Sequence, residues 1–112
     1  MTATSVRRGA GVIFWDDDEG DWKPATFVLR PDRLTFEASD RDHGDTYEGT
    51  LQRHAGTRYE GPITHRRKGE THHGSASCTL IECDGEFRIV GGRWHQPSHL
   101  PQNWGGNFRP DD

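Results

Sequence analysis

The chain has 112 residues, a formal net charge of −4 and 29% hydrophobic residues. This length is enough for one domain with a single modest core. The acidic balance provides no general attraction to nucleic acid or to an anionic membrane. No apolar stretch approaches the roughly 20 residues that a membrane-spanning helix needs, and residues 1–8 lack the apolar core of a signal peptide. We therefore expect cytoplasmic residence and no membrane association.

Turn signals recur along the chain and divide it into short segments that alternate apolar and polar residues. The signals are Pro31-Asp32, a polar loop over residues 40–45, His54-Ala55-Gly56, Lys68-Gly69 and Asp84-Gly85. Alternation between such turns is typical of antiparallel strands joined by hairpins. Strands are predicted near residues 9–15, 22–30, 33–39, 46–53, 58–67, 70–83 and 86–95.

Two segments outside these strands are expected to lack regular structure. We predict a disordered start over residues 1–8, a β-domain over 9–95 and an irregular tail over 96–112. The tail carries Pro97, Pro101, Pro110 and Gly105-Gly106, and residues of these types interrupt regular structure. No window repeats apolar residues at helical spacing, so no helix is predicted.

The chemistry of the first turn sets the register of the strands beside it. Pro31 cannot take a positive φ, so we predict a four-residue loop over residues 30–33. Three apolar pairs then face each other: Leu29–Leu34, Phe27–Phe36 and Ala25–Ala38. This consistency supports the predicted register.

The later turns set the remaining registers in the same way. A five-residue loop over residues 54–58 pairs Arg53 with Tyr59, because a tighter loop would mix the two faces of the sheet. Lys68-Gly69 and Asp84-Gly85 fit two-residue turns. Pro62 falls inside a strand, and we expect strand pairing to be interrupted there.

These registers predict an all-β, single-domain antiparallel meander of about seven strands, forming a small up-and-down barrel or a strongly curved sheet. Closure would pair the strand near Gly11–Trp15 with the strand near Phe87–His95 and remove two sheet edges. In architecture this resembles the up-and-down barrels of the streptavidin and lipocalin type. No motif of those families is matched, so the resemblance implies no functional residues.

The registers also bring polar side chains together at one end of the inner face. Tyr47, His65 and His72 are predicted to share one row, with His95 one row away and Arg93 pointing the same way. Such convergent donors could hold a phosphate or carboxylate group. Alternatively, this end of the sheet is a solvated rim. Inner glycines opposite large residues indicate either tight packing or room for a ligand.

A metal site is a further alternative, because three close imidazoles could bind Zn²⁺ with an open position. No compact metal-binding signature such as HExxH is present, and we predict no metal and no cofactor. The acidic run from Asp16 to Asp21 fails the EF-hand pattern, since its fifth and sixth positions are Gly20 and Asp21.

Two features favour an interaction with another protein. The acidic loop, with Asp16 and Asp18, could contact a partner, and Trp94 is predicted to lie on the outer face. Trp104 in the tail would either cover that outer patch or join it in a partner or homo-oligomer interface. Arg66-Arg67-Lys68 forms one basic hairpin tip without aromatic side chains for base stacking, so nucleic-acid binding is not expected.

Catalysis has little support in the sequence. Cys78 and Cys83 form no CxxC pair and are predicted to be free thiols, buried or half-buried. No serine stands in a nucleophile motif. Glu82 is the acid that the registers place inward, so paired carboxylates suited to glycoside hydrolysis are not apparent.

The sequence therefore favours a non-catalytic binding module that holds a polar or anionic ligand at the His/Arg/Tyr end of the sheet. The first alternative is an acidic protein-interaction or inhibitor module, such as an immunity protein or an assembly subunit. The second is a His-ligated metalloprotein.

Overall fold

A computed structural model shows an all-β antiparallel meander of eight strands that closes into a barrel. The structure describes residues 6–15, 22–40, 44–97 and 100–111. The strands are β1 (Arg7–Trp15), β2 (Lys23–Arg30), β3 (Arg33–Asp40), β4 (Asp45–Ala55), β5 (Arg58–Arg67), β6 (Glu70–Cys83), β7 (Glu86–His95) and β8 (Gln102–Pro110). Each strand pairs with the next, and β8 pairs with β1.

The registers predicted for β2–β3, β4–β5 and β5–β6 are confirmed, and the register predicted for β6–β7 is confirmed from the Asp84-Gly85 turn as far as Thr79–Val90. The β2–β3 hairpin pairs Leu29 with Leu34, Phe27 with Phe36 and Ala25 with Ala38. The β4–β5 hairpin pairs Arg53 with Tyr59 as predicted, but Ala55 also pairs with Arg58 after a register shift, so the connecting turn is shorter than the predicted five residues. In the two-residue turns, Lys68 and Gly69, and likewise Asp84 and Gly85, all take positive φ, as a type I′ turn requires.

Strand pairing is interrupted beside Pro62, as predicted. Regular pairs between β4 and β5 stop at Gly49–Ile63 and resume at Gln52–Glu60. A proline has no N–H to donate across the ladder. On its other side Pro62 faces Ser75 of β6, where the pairing continues.

The prediction of an irregular tail over residues 96–112 is wrong for Gln102–Pro110, which form β8. This strand lies between β1 and β7, so these two strands do not pair with each other as the sequence suggested. Trp104 and Phe108 are buried. Residues four apart in a strand lie on the same face, and the prolines and glycines around these two aromatic residues obscured that strand signal. A Cβ at Gly106 would collide with the carbonyl oxygen of Val12, so glycine permits the close approach of β1.

The start of the chain also differs from the expectation. Arg7 and Arg8 belong to β1 and pair with Leu29 and Val28, so the predicted disordered start over residues 1–8 extends too far. Residues 1–5 lie outside the described part of the chain.

A β-bulge in β7 changes which side chains point inward. Val90 faces Thr79 of β6, but Arg93 faces Ser77, so two residues of β7, Gly91 and Gly92, lie opposite the single residue Cys78. The pairing with β8 shifts by one at the same place, and Gly91 takes a positive φ of 56°. An extra residue reverses the inward and outward positions that follow it.

The interior of the barrel is filled by aromatic side chains that contact one another along its length. Phe87, Phe108 and Phe27 stack in sequence, with centroid distances of 5.1 and 4.5 Å. Trp104 and Trp94, also in the interior, make an edge contact with each other at 5.4 Å. Such pairs contribute about 0.5–1.5 kcal/mol each beyond their buried area.

Small residues in this interior serve packing. A Cβ at Gly49 would overlap the Phe36 ring, and a Cβ at Gly61 would overlap the carbonyl oxygen of Thr50. Of the two readings of the inner glycines, the structure therefore supports close packing at these positions. Among the described residues there is no helix with the length and apolarity needed to cross a membrane.

Replacing Trp104 tests the place of β8 in the barrel. The side chain is 3% exposed, and its Nε1 donates a hydrogen bond of 3.1 Å to the carbonyl oxygen of Ser77. We expect Trp104→Ala to lower the free energy of unfolding in urea by about 3–5 kcal/mol, as for other buried tryptophans.

The matched control is Trp22→Ala, since Trp22 is 55% exposed and stacks on Phe14 at 5.3 Å. Its cost should stay within about 1 kcal/mol. Equal costs for the two variants would contradict the placement of Trp104 inside a closed barrel.

Candidate functional site at the mouth of the barrel

Buried charges line one end of the barrel, which we call the mouth. Lys23 Nζ lies 3.7 Å from Asp40 Oδ2, Asp40 faces Asp45 across β3 and β4, and Asp45 Oδ1 lies 3.6 Å from Arg67 Nε. Each carboxylate thus lies beside a cation, Asp40 beside Lys23 and Asp45 beside Arg67. Two like charges directly opposite destabilise a sheet, and the flanking cations offset that repulsion.

Sequence reasoning missed this row of charges. Lys23 is 3% exposed, and its ammonium group lies 5.4 Å from the centroid of the Trp15 ring, within cation–π range. Period-two alternation from Ala25 would have placed Lys23 inward, and alternation from Tyr47 would have placed Asp45 inward. Charged residues at inner positions were the available signal.

The predicted row of Tyr47, His65 and His72 is present on the inner face. Tyr47 pairs with His65 and His65 pairs with His72. The Tyr47 and His65 rings stack at a centroid distance of 4.5 Å, and the two imidazoles lie 5.8 Å apart. Burial decreases along the row, because the side chain of His65 is 14% exposed and that of His72 is 42% exposed.

The predicted inward orientation of Arg93 and His95 is wrong. The bulge at Gly91 turns both side chains outward, where Arg93 donates a hydrogen bond of 2.7 Å to Asn103 Oδ1 and His95 is exposed. Neither residue joins the row of histidines. Trp94 takes the inner position instead and faces Ala76.

Trp94 and Gln96 hold His65 in one orientation. Trp94 Nε1 donates a hydrogen bond of 2.8 Å to Gln96 Oε1, and this contact identifies the oxygen end of the amide. Gln96 Nε2 therefore faces His65 Nδ1, at 3.2 Å, as a donor. In neutral His65 the accepting nitrogen is then Nδ1, and the proton lies on Nε2.

The environment of His65 favours this neutral form. Burial lowers its pKa from the ordinary value of 6.5, and the nearby Asp45 carboxylate opposes that effect without overcoming it. His72 and Arg67 lower the pKa further through charge repulsion. Near neutral pH His65 Nε2 thus carries a hydrogen and acts as a donor.

Three buried polar atoms at the mouth have no hydrogen-bond partner within the described part of the chain. They are Trp15 Nε1, Asp45 Oδ1 and His65 Nε2. Asp45 Oδ2 lies 3.6 Å from His65 Nε2 and accepts a long hydrogen bond of 3.5 Å from the Tyr47 hydroxyl. Buried polar groups in folded proteins are nearly always paired, so these three atoms mark the mouth as the candidate functional site.

A metal site is not formed by the described residues, which contain no group of three His, Cys, Asp or Glu side chains placed to hold an ion. The three-histidine arrangement fails because His95 points away from His65 and His72.

The residues predicted for partner contact do not form a surface. Trp94 and Trp104 are 1% and 3% exposed, so the prediction of an outer tryptophan patch is wrong. Trp94 lies inside because of the bulge, and Trp104 because β8 is part of the barrel. Asp16 and Asp18 lie outside the described residues.

Other candidate groups lie away from the mouth. Glu82 takes the predicted inner register position opposite Phe87, and its side chain is exposed at the opposite end of the barrel, 3.9 Å from Arg7. Cys78 is fully buried, and burial raises its pKa to about 12, so its thiolate is not accessible as a nucleophile. Cys83 is free and exposed, which differs from the expected burial.

Comparison of the chain with protein-family models, with curated proteins and with solved structures finds no significant match. Function must therefore be argued from the geometry of the mouth.

The pH dependence of stability tests the environment of His65. Burial lowers the pKa of His65 in the folded state. As the pH falls below about 6.5, the unfolded chain therefore binds a proton at His65 at a higher pH than the folded chain does. This contribution to stability is complete above that pH and is lost as the pH falls through the folded-state value.

We expect His65→Gln to be less sensitive to pH below about 6.5 than the native protein in urea unfolding. The exposed His95 provides the matched control, and His95→Gln should keep the native dependence. A His65→Gln variant with an unchanged pH dependence would show that His65 does not titrate in this way.

Proposed function

We propose that this chain is a non-catalytic β-barrel binding module that holds a small polar ligand at its mouth. The observation that carries this proposal is the presence of Trp15 Nε1, Asp45 Oδ1 and His65 Nε2 as unpartnered buried polar atoms at one end of a well-packed barrel. Leaving such a group unsatisfied costs about 1–3 kcal/mol. A bound polar molecule would remove that cost.

The surroundings of these atoms support binding because they are held in place. Trp15 packs against Tyr47 at a centroid distance of 4.8 Å, and Tyr47 stacks on His65. The hydrogen bonds from Trp94 through Gln96 orient the imidazole. A site whose side chains are already ordered loses little entropy when it binds.

The charges of the mouth favour a polar ligand over an anionic one. The buried carboxylates of Asp40 and Asp45 face each other and would repel an anion, while Lys23 and Arg67 already lie beside them. The outward position of Arg93 removes the guanidinium that would have gripped a phosphate. The proposal thus narrows from a polar or anionic ligand to a polar one.

A protein-interaction module is the second candidate, now on a different surface. Trp22 is 55% exposed and stacks on Phe14, and exposed tryptophan is common among residues that dominate interfaces. We place either module in the cytoplasm as part of the proposal, because Cys78 and Cys83 are both free.

Ligand titration followed by NMR tests the proposed function. A panel of neutral amides, ureas and polyols, with inorganic phosphate and carboxylates as anions, is added while the Trp15 indole and His65 ring signals are monitored. We expect at least one compound to shift both signals saturably. Asp45→Ala should weaken that binding by at least about tenfold, since it removes a charged hydrogen-bond acceptor.

His95→Gln is the control and should bind as the native protein does, because His95 lies on the outer wall. Native mass spectrometry of the purified protein is run in parallel to detect a retained small molecule. If no compound shifts these signals and no molecule is retained, the proposed function is wrong.

A further inference from the structure

We infer that the ligand presents a neutral carboxamide or ureido group to the mouth, with an N–H donor beside a carbonyl acceptor. This inference rests on the proposed function and specifies the chemistry of its ligand. It follows from the donor or acceptor character of each unpartnered atom, which the structure assigns one by one.

The first atom, His65 Nε2, is a donor. The carbonyl end of Gln96 is identified by the hydrogen bond that it accepts from Trp94, so the amide nitrogen of Gln96 faces Nδ1 of His65. The imidazole hydrogen is therefore on Nε2. Asp45 Oδ2 lies 3.6 Å away, too far for a good hydrogen bond.

The other two atoms have a fixed character. The indole nitrogen of Trp15 can only donate, and the carboxylate of Asp45 can only accept. Arg67 Nε lies 3.6 Å from Asp45 Oδ1 without forming a hydrogen bond. The mouth thus offers two donors and one charged acceptor, and a matching ligand must both accept and donate.

Simple ions do not meet this requirement. A carboxylate has no hydrogen to donate to Asp45, and a carboxylate or a phosphate adds negative charge beside Asp40 and Asp45. An ammonium or guanidinium group has no acceptor for the donors of Trp15 and His65. A carboxamide or ureido group has both functions on neighbouring atoms and is neutral.

The aromatic rings beside these atoms contact one another. The Trp15 and Tyr47 rings are tilted by 52° at a centroid distance of 4.8 Å, and Tyr47 and His65 stack at 4.5 Å with an interplanar angle of 20°. An ordered water also donates and accepts, so water alone is the occupant against which the inference must be tested.

The test compares nicotinamide with nicotinate, which share a ring and differ by an amide against a carboxylate. Acetamide and acetate provide a smaller matched pair. Each compound is titrated into the native protein at about pH 7.5, where His65 is neutral, and the Trp15 indole and His65 ring signals are followed by NMR. We expect an amide to shift both signals saturably and the matching carboxylate to bind at least about tenfold more weakly.

Trp15→Phe keeps an aromatic ring and removes the indole donor, so it should weaken amide binding, whereas His95→Gln should not. The comparison of the two compounds on the native protein does not depend on either variant folding. Binding only of a polyol would overturn the inference and leave the proposed function standing. Carboxylate binding as tight as amide binding, or binding only of phosphate, would overturn the inference and also the preference for a polar ligand over an anionic one.

Two further outcomes are decisive. Amide binding that persists unchanged in both Trp15→Phe and Asp45→Ala would locate the amide elsewhere and overturn the inference. No binding by any compound, with no small molecule retained in native mass spectrometry, would leave water as the occupant and overturn both the inference and the proposed function.

Discussion

The extra residue in β7 is the constraint on which the rest of the barrel depends. Gly91 takes a positive φ and inserts one residue opposite both neighbouring strands. Every side chain after it changes face, so Trp94 enters the interior while Arg93 and His95 leave it. A residue with a Cβ is strained at this φ. Gly91 lies on the outer wall and yet determines which side chains line the mouth.

The packed interior and the polar mouth meet at Trp94. Its ring contacts Trp15 and Trp104 at centroid distances of 5.1 and 5.4 Å, while its indole nitrogen donates to Gln96. The hydrophobic core therefore orients the amide that orients His65. At the mouth itself, the positive charges of Lys23 and Arg67 balance the negative charges of Asp40 and Asp45. The mouth is therefore polar without a strong net charge.

Much of the fold could be predicted because turn chemistry determines strand register locally. The connection at residues 54–58 was sufficient to place the Tyr47–His65 pair correctly, and the positive-φ turn at Lys68-Gly69 placed His72 opposite His65. The bulge was not predicted, although a Gly-Gly pair within a strand is a known sign of one. β8 was missed because its pairing with β1 depends on contacts far apart in sequence, and its glycines resemble loop residues. Gln96 could not be identified in advance, because its role depends on where Trp94 points.

The tautomer of His65 tests the central claim most directly, since it reports the whole chain of contacts from the bulge to the mouth. A long-range ¹H–¹⁵N NMR spectrum at a pH about one unit above the ordinary histidine pKa distinguishes the two ring nitrogens. We expect the hydrogen on Nε2, with Nδ1 accepting from Gln96. A hydrogen on Nδ1 would contradict the placement of Trp94 and Gln96, and with it the assignment of donors and acceptors at the mouth.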